Sequence, residues 1–195
     1  MVSGSGFGDY EKRERLCKVW YSKGLETLDL NDLPFQTANE RPFSEVLEPM
    51  ALDDKRWARR PYLEAKDAQT TNGHKYCVTD LAAINIPTCG ANYHKVQPDS
   101  AMIEHPERTL VTRIMTPAEH CNLRSISGSL KENIVAVEKG GHYSQQSTIG
   151  SASEAHKMLG NSCSPKPWES VGFRLGEWLC QIAGLTTQKT VSNTE

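Results

Sequence analysis

The stretch Ala155-His156-Lys157-Met158-Leu159-Gly160-Asn161-Ser162 decides how this chain is interpreted, because it leads into the most regular segment of the sequence. After Pro165-Lys166-Pro167, apolar residues recur at helical spacing, at Trp168, Val171, Leu175, Trp178, Leu179 and Ile182. Ser164 predicts the start of this helix, prolines suit its first turn, and Gly184 predicts its end. We therefore expect Gly160-Asn161-Ser162 to form a polar turn just before an amphipathic helix. Backbone N–H groups would point outward at this turn, and the missing side chain of the glycine would allow close approach to the backbone.

The composition limits the function classes without selecting one. The 195 residues suffice for one ordinary domain or two small ones, and 22 basic and 24 acidic residues give a net charge of −2. Any affinity for nucleic acid must therefore come from a local patch. The sequence has no apolar run of membrane-spanning length and no apolar signal segment, so we expect a cytoplasmic protein.

The cysteines and histidines give no pattern of metal ligands. The six cysteines, at positions 17, 77, 89, 121, 163 and 180, form no Cys-x-x-Cys pair, and the six histidines are scattered. We expect free thiols, histidines that serve packing or the surface, and no metal.

Local patterns divide the chain. Frequent, partly alternating apolar residues predict a strand over residues 15–22. Residues 31–108 are polar and proline-punctuated, with short strand-like runs such as 75–79, and indicate a small irregular module. Thr116-Pro117-Ala118-Glu119 forms a capping box that predicts a helix to about Arg124. Residues 131–154, rich in Ser, Gly, Gln and charge, predict a loop or weakly ordered connector.

Three segments together resemble motifs of the DNA cytosine-5 methyltransferases. Lys12-Arg13-Glu14-Arg15 resembles their Q-x-R-x-R motif, residues 113–120 resemble R-x-L-T-P-x-E, and residues 156–162 resemble K-x-L-G-N-S. The segments follow the family's order, and 31–108 falls where the family has its variable target recognition domain. The resemblance implies an α/β fold: the C-terminal portion of a Rossmann-like methyltransferase domain (1–30 and 109–195) with an inserted, mostly β recognition domain (31–108).

The resemblance also implies a chemistry. Members flip a cytosine out of duplex DNA, attack its ring with a cysteine thiolate, transfer a methyl group from S-adenosylmethionine, and remove a proton with a base. Carried over, Arg13 and Arg15 hold the flipped cytosine and its phosphates, and their i, i+2 spacing on a strand points both one way. Asn161 and Ser162 lie beside the cofactor. Glu11 stands where the family prefers Gln, and it either weakens the match or pairs with an arginine. In the second motif, the resemblance implies that Thr116–Glu119 braces the recognition domain.

A basic cluster at residues 55–60 is the candidate DNA contact. Lys55, Arg56, Arg59 and Arg60, together with Lys12, are the predicted phosphate-binding residues, and Trp57 among them can cover a sugar–phosphate edge. The cluster could equally form one face of a short helix balanced by acidic neighbours, which are Asp53, Asp54, Glu64 and Asp67.

Three further parts of the family pattern are not found in this sequence: a Gly-rich cofactor loop after a strand, a Pro-Cys nucleophile pair, and a Glu-Asn-Val segment. We therefore expect a C-terminal fragment or subunit of a restriction-modification-type cytosine methyltransferase, with an incomplete S-adenosylmethionine site and no activity alone. The resemblance also implies a DNA-associated protein encoded by a bacterium or phage. A complementary N-terminal chain would cover the apolar face of the last helix, which carries Trp168, Leu175 and Leu179. The alternatives are a non-catalytic DNA-binding or specificity module and an α+β interaction protein.

Overall fold

The computed structural model describes residues 1–69, 78–97, 100–141 and 149–185. In chain order, the regular elements are β1 (Val2–Ser3), β2 (Glu14–Arg15), β3 (Ala58–Arg59), α1 (Pro61–Gln69), β4 (Ile103–His105), β5 (Arg108–Arg113), α2 (Pro117–Leu123), α3 (Gly128–Glu138), α4 (Ala152–Asn161) and α5 (Pro165–Ile182). Short 3-10 turns lie at Gly4–Gly6, Phe43–Val46 and Tyr93–Lys95. None of the helices in these ranges combines the length and the apolar content that a membrane span requires.

Two small antiparallel sheets organise the strands. β1 pairs with β2, placing Val2 opposite Arg15 and Ser3 opposite Glu14. β5 is the central strand of the second sheet, between β3 and β4, and the β4–β5 register shifts between Glu104 and His105. β5 begins at the residue where the sequence predicts the recognition domain to end, so one sheet joins both sides of that predicted boundary, which stays a prediction.

The strand predicted over 15–22 is wrong in extent. Its ladder covers Glu14–Arg15 only, because β1, its partner, is two residues long. The solvent exposure of the residues nevertheless alternates from residue 14 to residue 20: the even-numbered residues are exposed and the odd-numbered residues are partly buried. The backbone is thus pleated as the sequence predicts, without a hydrogen-bonded partner among the described residues.

The two predicted helix starts are confirmed. Thr116 accepts a hydrogen bond from the Glu119 N–H, and the Glu119 side chain accepts one from the Thr116 N–H, which completes the capping box of α2. α5 begins after Ser164 and ends before Gly184, which has the positive φ of +67° that favours glycine. The Ser164 hydroxyl does not cap α5; it donates to the Arg124 carbonyl at 3.3 Å.

The connector predicted over 131–154 is wrong, because α3 and the start of α4 occupy most of its described part. α3 buries only Ile134 and Val137, so it shows no strong apolar period, whereas the apolar residues of α4, which include Ala155 and Leu159, do recur at helical spacing. The turn predicted at Gly160-Asn161-Ser162 is likewise the end of α4, with Ser162 at its C-cap. Of the strand-like run 75–79, residues 75–77 lie outside the described residues, and Val78 forms an isolated bridge to Met102.

Three apolar clusters form the core. The first joins the irregular module to α2 through residues that include Tyr10, Phe43, Tyr93, Met115 and Leu123. The second lies between α2, α3 and α4. The third packs Val171 of α5, flanked by Trp168 and Leu175, on Phe7 and Leu33 of the N-terminal region. The prediction that α5 lacks cover is therefore correct only for Leu179, which is 56% exposed.

Gly160 allows α4 to approach the loop at Gly90–Ala91. A Cβ atom at this position would lie 2.2 Å from the backbone nitrogen of Ala91 and 2.4 Å from the carbonyl carbon of Gly90. Both contacts are with backbone, which a side-chain rotation does not relieve. Only glycine fits here, and its carbonyl group is consequently held in the interior beside the first of the three motif segments.

Candidate functional site at the end of helix α4

Arg13 joins the first motif segment to the third. Its side chain is buried, with 8% exposed for the residue, and its Nη2 donates to the carbonyl oxygen of Gly160 at 2.6 Å. Its Nε and Nη1 are also buried, and they have no hydrogen-bond partner within the described part of the chain. A buried guanidinium keeps its charge, so these two N–H groups are available to an acceptor from outside this set of residues.

Arg124 and Glu11 form a buried ion pair beside Arg13. Arg124 Nε donates to Glu11 Oε2 at 2.7 Å, and Nη2 donates to Glu11 Oε1 at 3.1 Å. Glu11 therefore pairs with an arginine, which was one of the two readings open for it, and it also accepts the N–H of Cys89. Arg124 binds the carbonyl oxygens of Leu159 and Cys89 as well, so one side chain ties four chain segments together. The sequence indicated only that α2 ends near Arg124.

A small cavity of about 20 Å³ lies beside this ion pair. Its lining includes Arg13, Arg15, Glu11 and Asp9, so the structure brings the two predicted catalytic arginines to one place. Arg15 is partly exposed, and its only hydrogen bond among the described residues goes to the carbonyl of Glu14. Asp9 is buried and its Oδ1 has no partner there; burial raises the pKa of its carboxyl group.

The two predicted cofactor residues differ in their freedom to bind. Asn161 is exposed at the last position of α4, and its amide makes no hydrogen bond with the described residues. Ser162 already donates its hydroxyl hydrogen to the Leu159 carbonyl at 2.8 Å and accepts from Arg124 Nη1 at 3.2 Å. Asn161 can therefore donate to or accept from a ligand, whereas the Ser162 hydroxyl holds the end of the helix.

The second motif segment, residues 113–120, holds the fold together through buried contacts. Glu119 is fully buried and receives a bidentate pair from Arg113, at 2.6 and 2.8 Å. It also accepts the Glu48 N–H at 2.9 Å, which ties α2 to the irregular module. The expected bracing role for Thr116–Glu119 agrees with these contacts, because the same carboxylate caps the helix and holds the module.

The predicted DNA-binding residues separate into groups. Arg56 pairs with Asp54 and Arg59 pairs with Glu64, so acidic neighbours balance two of them as the alternative reading anticipated. Their backbone is a turn leading into β3, so the short helix of that reading is wrong. Lys55, Arg56 and Arg60 line one cavity, which Arg59 does not. Lys12 is exposed in the segment that carries Arg13.

Trp57 stacks within the protein. Its ring lies beneath the Arg113 guanidinium at 5.1 Å and meets His105 edge to face at 5.0 Å. Its Nε1 donates to the Ala51 carbonyl at 3.0 Å. These contacts use the ring to fix β3 against β5, in place of the predicted cover of a sugar–phosphate edge.

His120 and His156 form a buried pair that the sequence did not reveal. Their Nδ1 atoms lie 3.1 Å apart, and both rings pack against Tyr93. Burial lowers the pKa of His120 well below its usual value and lowers the pKa of His156 to about 4. Both rings are therefore neutral at pH 7, and one donates to the other, in agreement with the predicted packing role.

One group of potential metal ligands occurs in the described residues: Glu11, Cys89 and His120, with ligand atoms within 4.8 Å of one another. The Glu11 carboxylate already neutralises the Arg124 guanidinium and accepts the Cys89 N–H. A cation there would face the buried charge of Arg124, so the ion pair explains this grouping better than a metal does.

Comparisons with solved structures identify the fold. The chain is similar to the S. pombe Dnmt2 methyltransferase, with a TM-score of 0.56 and 16% identity over 91% of this chain and 56% of that one. It is also similar to the Entamoeba histolytica methyltransferase EhMeth, with a TM-score of 0.52 and 14% identity over 93% of this chain and 52% of that one. No protein-family model and no curated protein sequence matches the chain. The chain therefore has an α/β methyltransferase-like fold, and it spans a little over half the length of these two structures.

Proposed function

We propose that this chain is the C-terminal portion of a DNA (cytosine-5-)-methyltransferase that uses S-adenosylmethionine. The observation that carries the proposal is the buried hydrogen bond from Arg13 to the Gly160 carbonyl, in a chain with a methyltransferase-like fold. This contact unites the two motif segments to which the family resemblance assigns the cytosine and the cofactor. If the two segments resembled the family motifs only by chance, nothing would require them to contact each other at one buried position.

The roles follow from the donors that remain free. Arg13 has two buried N–H positions, at Nε and Nη1, without a hydrogen-bond partner among the described residues, and Arg15 lies at the same cavity. This cavity of about 20 Å³ admits a single atom, such as a carbonyl or phosphate oxygen of a flipped cytosine, and the base itself would lie outside it. The exposed amide of Asn161 suits the amino-acid portion of S-adenosylmethionine, and Ser162 holds the helix end that presents it. When bound, the cofactor supplies the methyl group, and the residues of this chain bind and orient the cytosine and the cofactor.

The chain needs a complementary portion for activity, on the same polypeptide or on another. The sequence has no Pro-Cys pair, and its glycine-rich stretch Gly4-Ser5-Gly6-Phe7-Gly8 follows a strand of only two residues and leads to β2 without an α-helix between them, so it does not match a cofactor loop. Among the described residues, Cys89 lies in the interior beside Glu11, with 1% exposed, where a flipped base has no access. We expect no methyl transfer by the chain alone.

Reconstitution tests this function. The chain would be mixed with a methyltransferase N-terminal portion that carries a Pro-Cys pair and a Gly-rich loop, and transfer of labelled methyl groups to duplex DNA would be measured. We expect transfer by the mixture only. Arg15→Gln should strongly reduce methyl transfer by the mixture. Lys18→Gln, at an exposed position of the same segment, should leave methyl transfer unchanged. Transfer by the chain alone, or equal activity of the two variants in the mixture, would contradict the proposal.

A non-catalytic DNA-binding module is the second candidate. It is favoured by the convergence of Lys55, Arg56 and Arg60 on one cavity in a chain of near-neutral charge. This candidate predicts salt-dependent binding of duplex DNA and no rescue of methyl transfer by any N-terminal portion. The reconstitution mixture therefore discriminates between the two candidates.

A further inference from the structure

A cavity of about 410 Å³ lies at the opposite end of α4 from Arg13. Its lining includes Lys55, Arg56 and Arg60 next to β3, His94 in the 3-10 turn, Glu138 at the end of α3, and Ser153 in the first turn of α4. Eight residues of helix separate Ala152 from Gly160, which places the two ends about 12 Å apart. The volume falls in the range of small-molecule sites, roughly 300–1,000 Å³.

The charge of this cavity is positive and only partly neutralised. Arg56 is held by Asp54 through two side-chain hydrogen bonds, at 2.8 and 2.9 Å. Lys55 and Arg60 form no ion pair or side-chain hydrogen bond within the described part of the chain. Glu138 is the one carboxylate that the described residues contribute to the lining, and burial raises its pKa. Lys55 and Arg60 therefore face a single acidic group among these residues.

Polar atoms at this cavity lack partners within the described part of the chain. Arg60 Nε and His94 Nδ1 are buried and have no hydrogen-bond partner among the residues that the structure describes. Ser151 caps the Glu154 N–H of α4 with its hydroxyl, which leaves the N–H groups of Ala152 and Ser153 without an intrahelical acceptor. A buried polar atom without a partner is destabilising, so Arg60 Nε and His94 Nδ1 at one cavity require a common explanation, and the two helix N–H groups are free to join in it.

We propose that this cavity binds the phosphoryl group of a nucleotide-sized ligand. A phosphoryl oxygen accepts hydrogen bonds from an Arg fork, a Lys ammonium and helix N-terminal N–H groups, which are the donors gathered here. The neutral His156 ring lies in the wall and adds no charge, because its pKa is about 4. The site goes beyond the proposed methyl transfer, since it lies at the other end of α4 from the Arg13 and Asn161 groups.

Binding measurements on the full chain test the proposal. The probes are pyrophosphate, adenosine 5′-monophosphate and a short duplex DNA, titrated by calorimetry and by NMR. Arg60→Gln and Lys55→Gln should each weaken binding of the phosphoryl probe about tenfold or more. Arg174→Gln is the matched control, because Arg174 of α5 pairs with Glu177 and does not line the cavity, and it should leave binding unchanged.

Ser153→Asp separates binding from stability. A carboxylate in the first turn of a helix favours the helix, so thermal stability should be equal or higher, whereas the added negative charge should weaken phosphoryl binding about tenfold. Binding of the mononucleotide assigns the phosphoryl group to a free nucleotide, and binding of duplex alone, weakened by Arg60→Gln, assigns it to a nucleic-acid backbone. The proposal is overturned if no probe binds at millimolar concentration, or if Arg174→Gln weakens binding as much as Arg60→Gln. It is also overturned if Ser153→Asp has no effect on binding.

Discussion

Replacing Glu11 with Gln tests the buried ion pair most directly. The Glu11 and Arg124 side chains are 2% and 1% exposed, and two hydrogen bonds join them. Gln keeps the shape and one acceptor oxygen but removes the negative charge, which leaves the Arg124 guanidinium buried without a counter-charge. Breaking one partner of such a pair is destabilising by about 3–5 kcal/mol. For a chain of this length the melting temperature should fall by roughly 6–20 °C, at about 2–4 °C per kcal/mol.

The assay is thermal and urea unfolding of the wild-type chain, of Glu11→Gln and of Glu64→Gln. Glu64→Gln is the matched control, since it makes the same chemical change in the surface pair with Arg59 and should leave the midpoint unchanged. If Glu11→Gln lowered stability by no more than this control, the buried network would not stabilise the fold as argued.

Three further predictions concern α2 and α4. Gly160→Ala should destabilise the chain by about 1–3 kcal/mol or more, because its Cβ meets backbone, whereas Gly172→Ala in α5, with open space around it, should stabilise by about 0.5–1 kcal/mol; equal urea midpoints would contradict this. Thr116→Ala should lower the free energy of unfolding by about 1 kcal/mol through loss of the capping box, and an unchanged midpoint would refute the role assigned to that contact. His120 and His156 have lowered pKa values in the folded chain, so the unfolded chain binds more protons below pH 6.5, and stability should fall as the pH drops from 6.5 towards 4; a flat urea midpoint across this window would show that the pair is not buried and neutral.

Local signals predicted the elements that local chemistry builds. Thr116 and Glu119 lie three residues apart and cap each other, so the start of α2 could be predicted from the sequence. The repeat of apolar residues along 168–182 likewise predicted α5. α3 was missed because it buries only two apolar side chains. α4 was missed although its apolar residues recur at helical spacing, because the Ser and Gly residues near its ends indicate loops.

Contacts between segments that are distant in the chain could not be predicted from the sequence. The alternation over residues 14–20 predicted the pleat correctly, but whether a strand forms depends on a partner elsewhere in the chain. The same limit applies to the candidate site: the motif resemblance selected Arg13, yet nothing local indicated that it binds Gly160, 147 residues away. Lys55 and Arg60 were selected as charges, and only the fold showed that they share a cavity with His94.

The position of Arg124 has a consequence for the folding kinetics. Its partners lie 113 residues away at Glu11 and 35 residues away at Leu159 and Cys89, so its guanidinium leaves water without full compensation until all of these segments have arrived. Because these contacts join segments distant in sequence, we expect them to form after the folding transition state. We expect substitutions at Arg124 to speed unfolding far more than they slow folding, so this residue governs how long the folded state persists once it has formed.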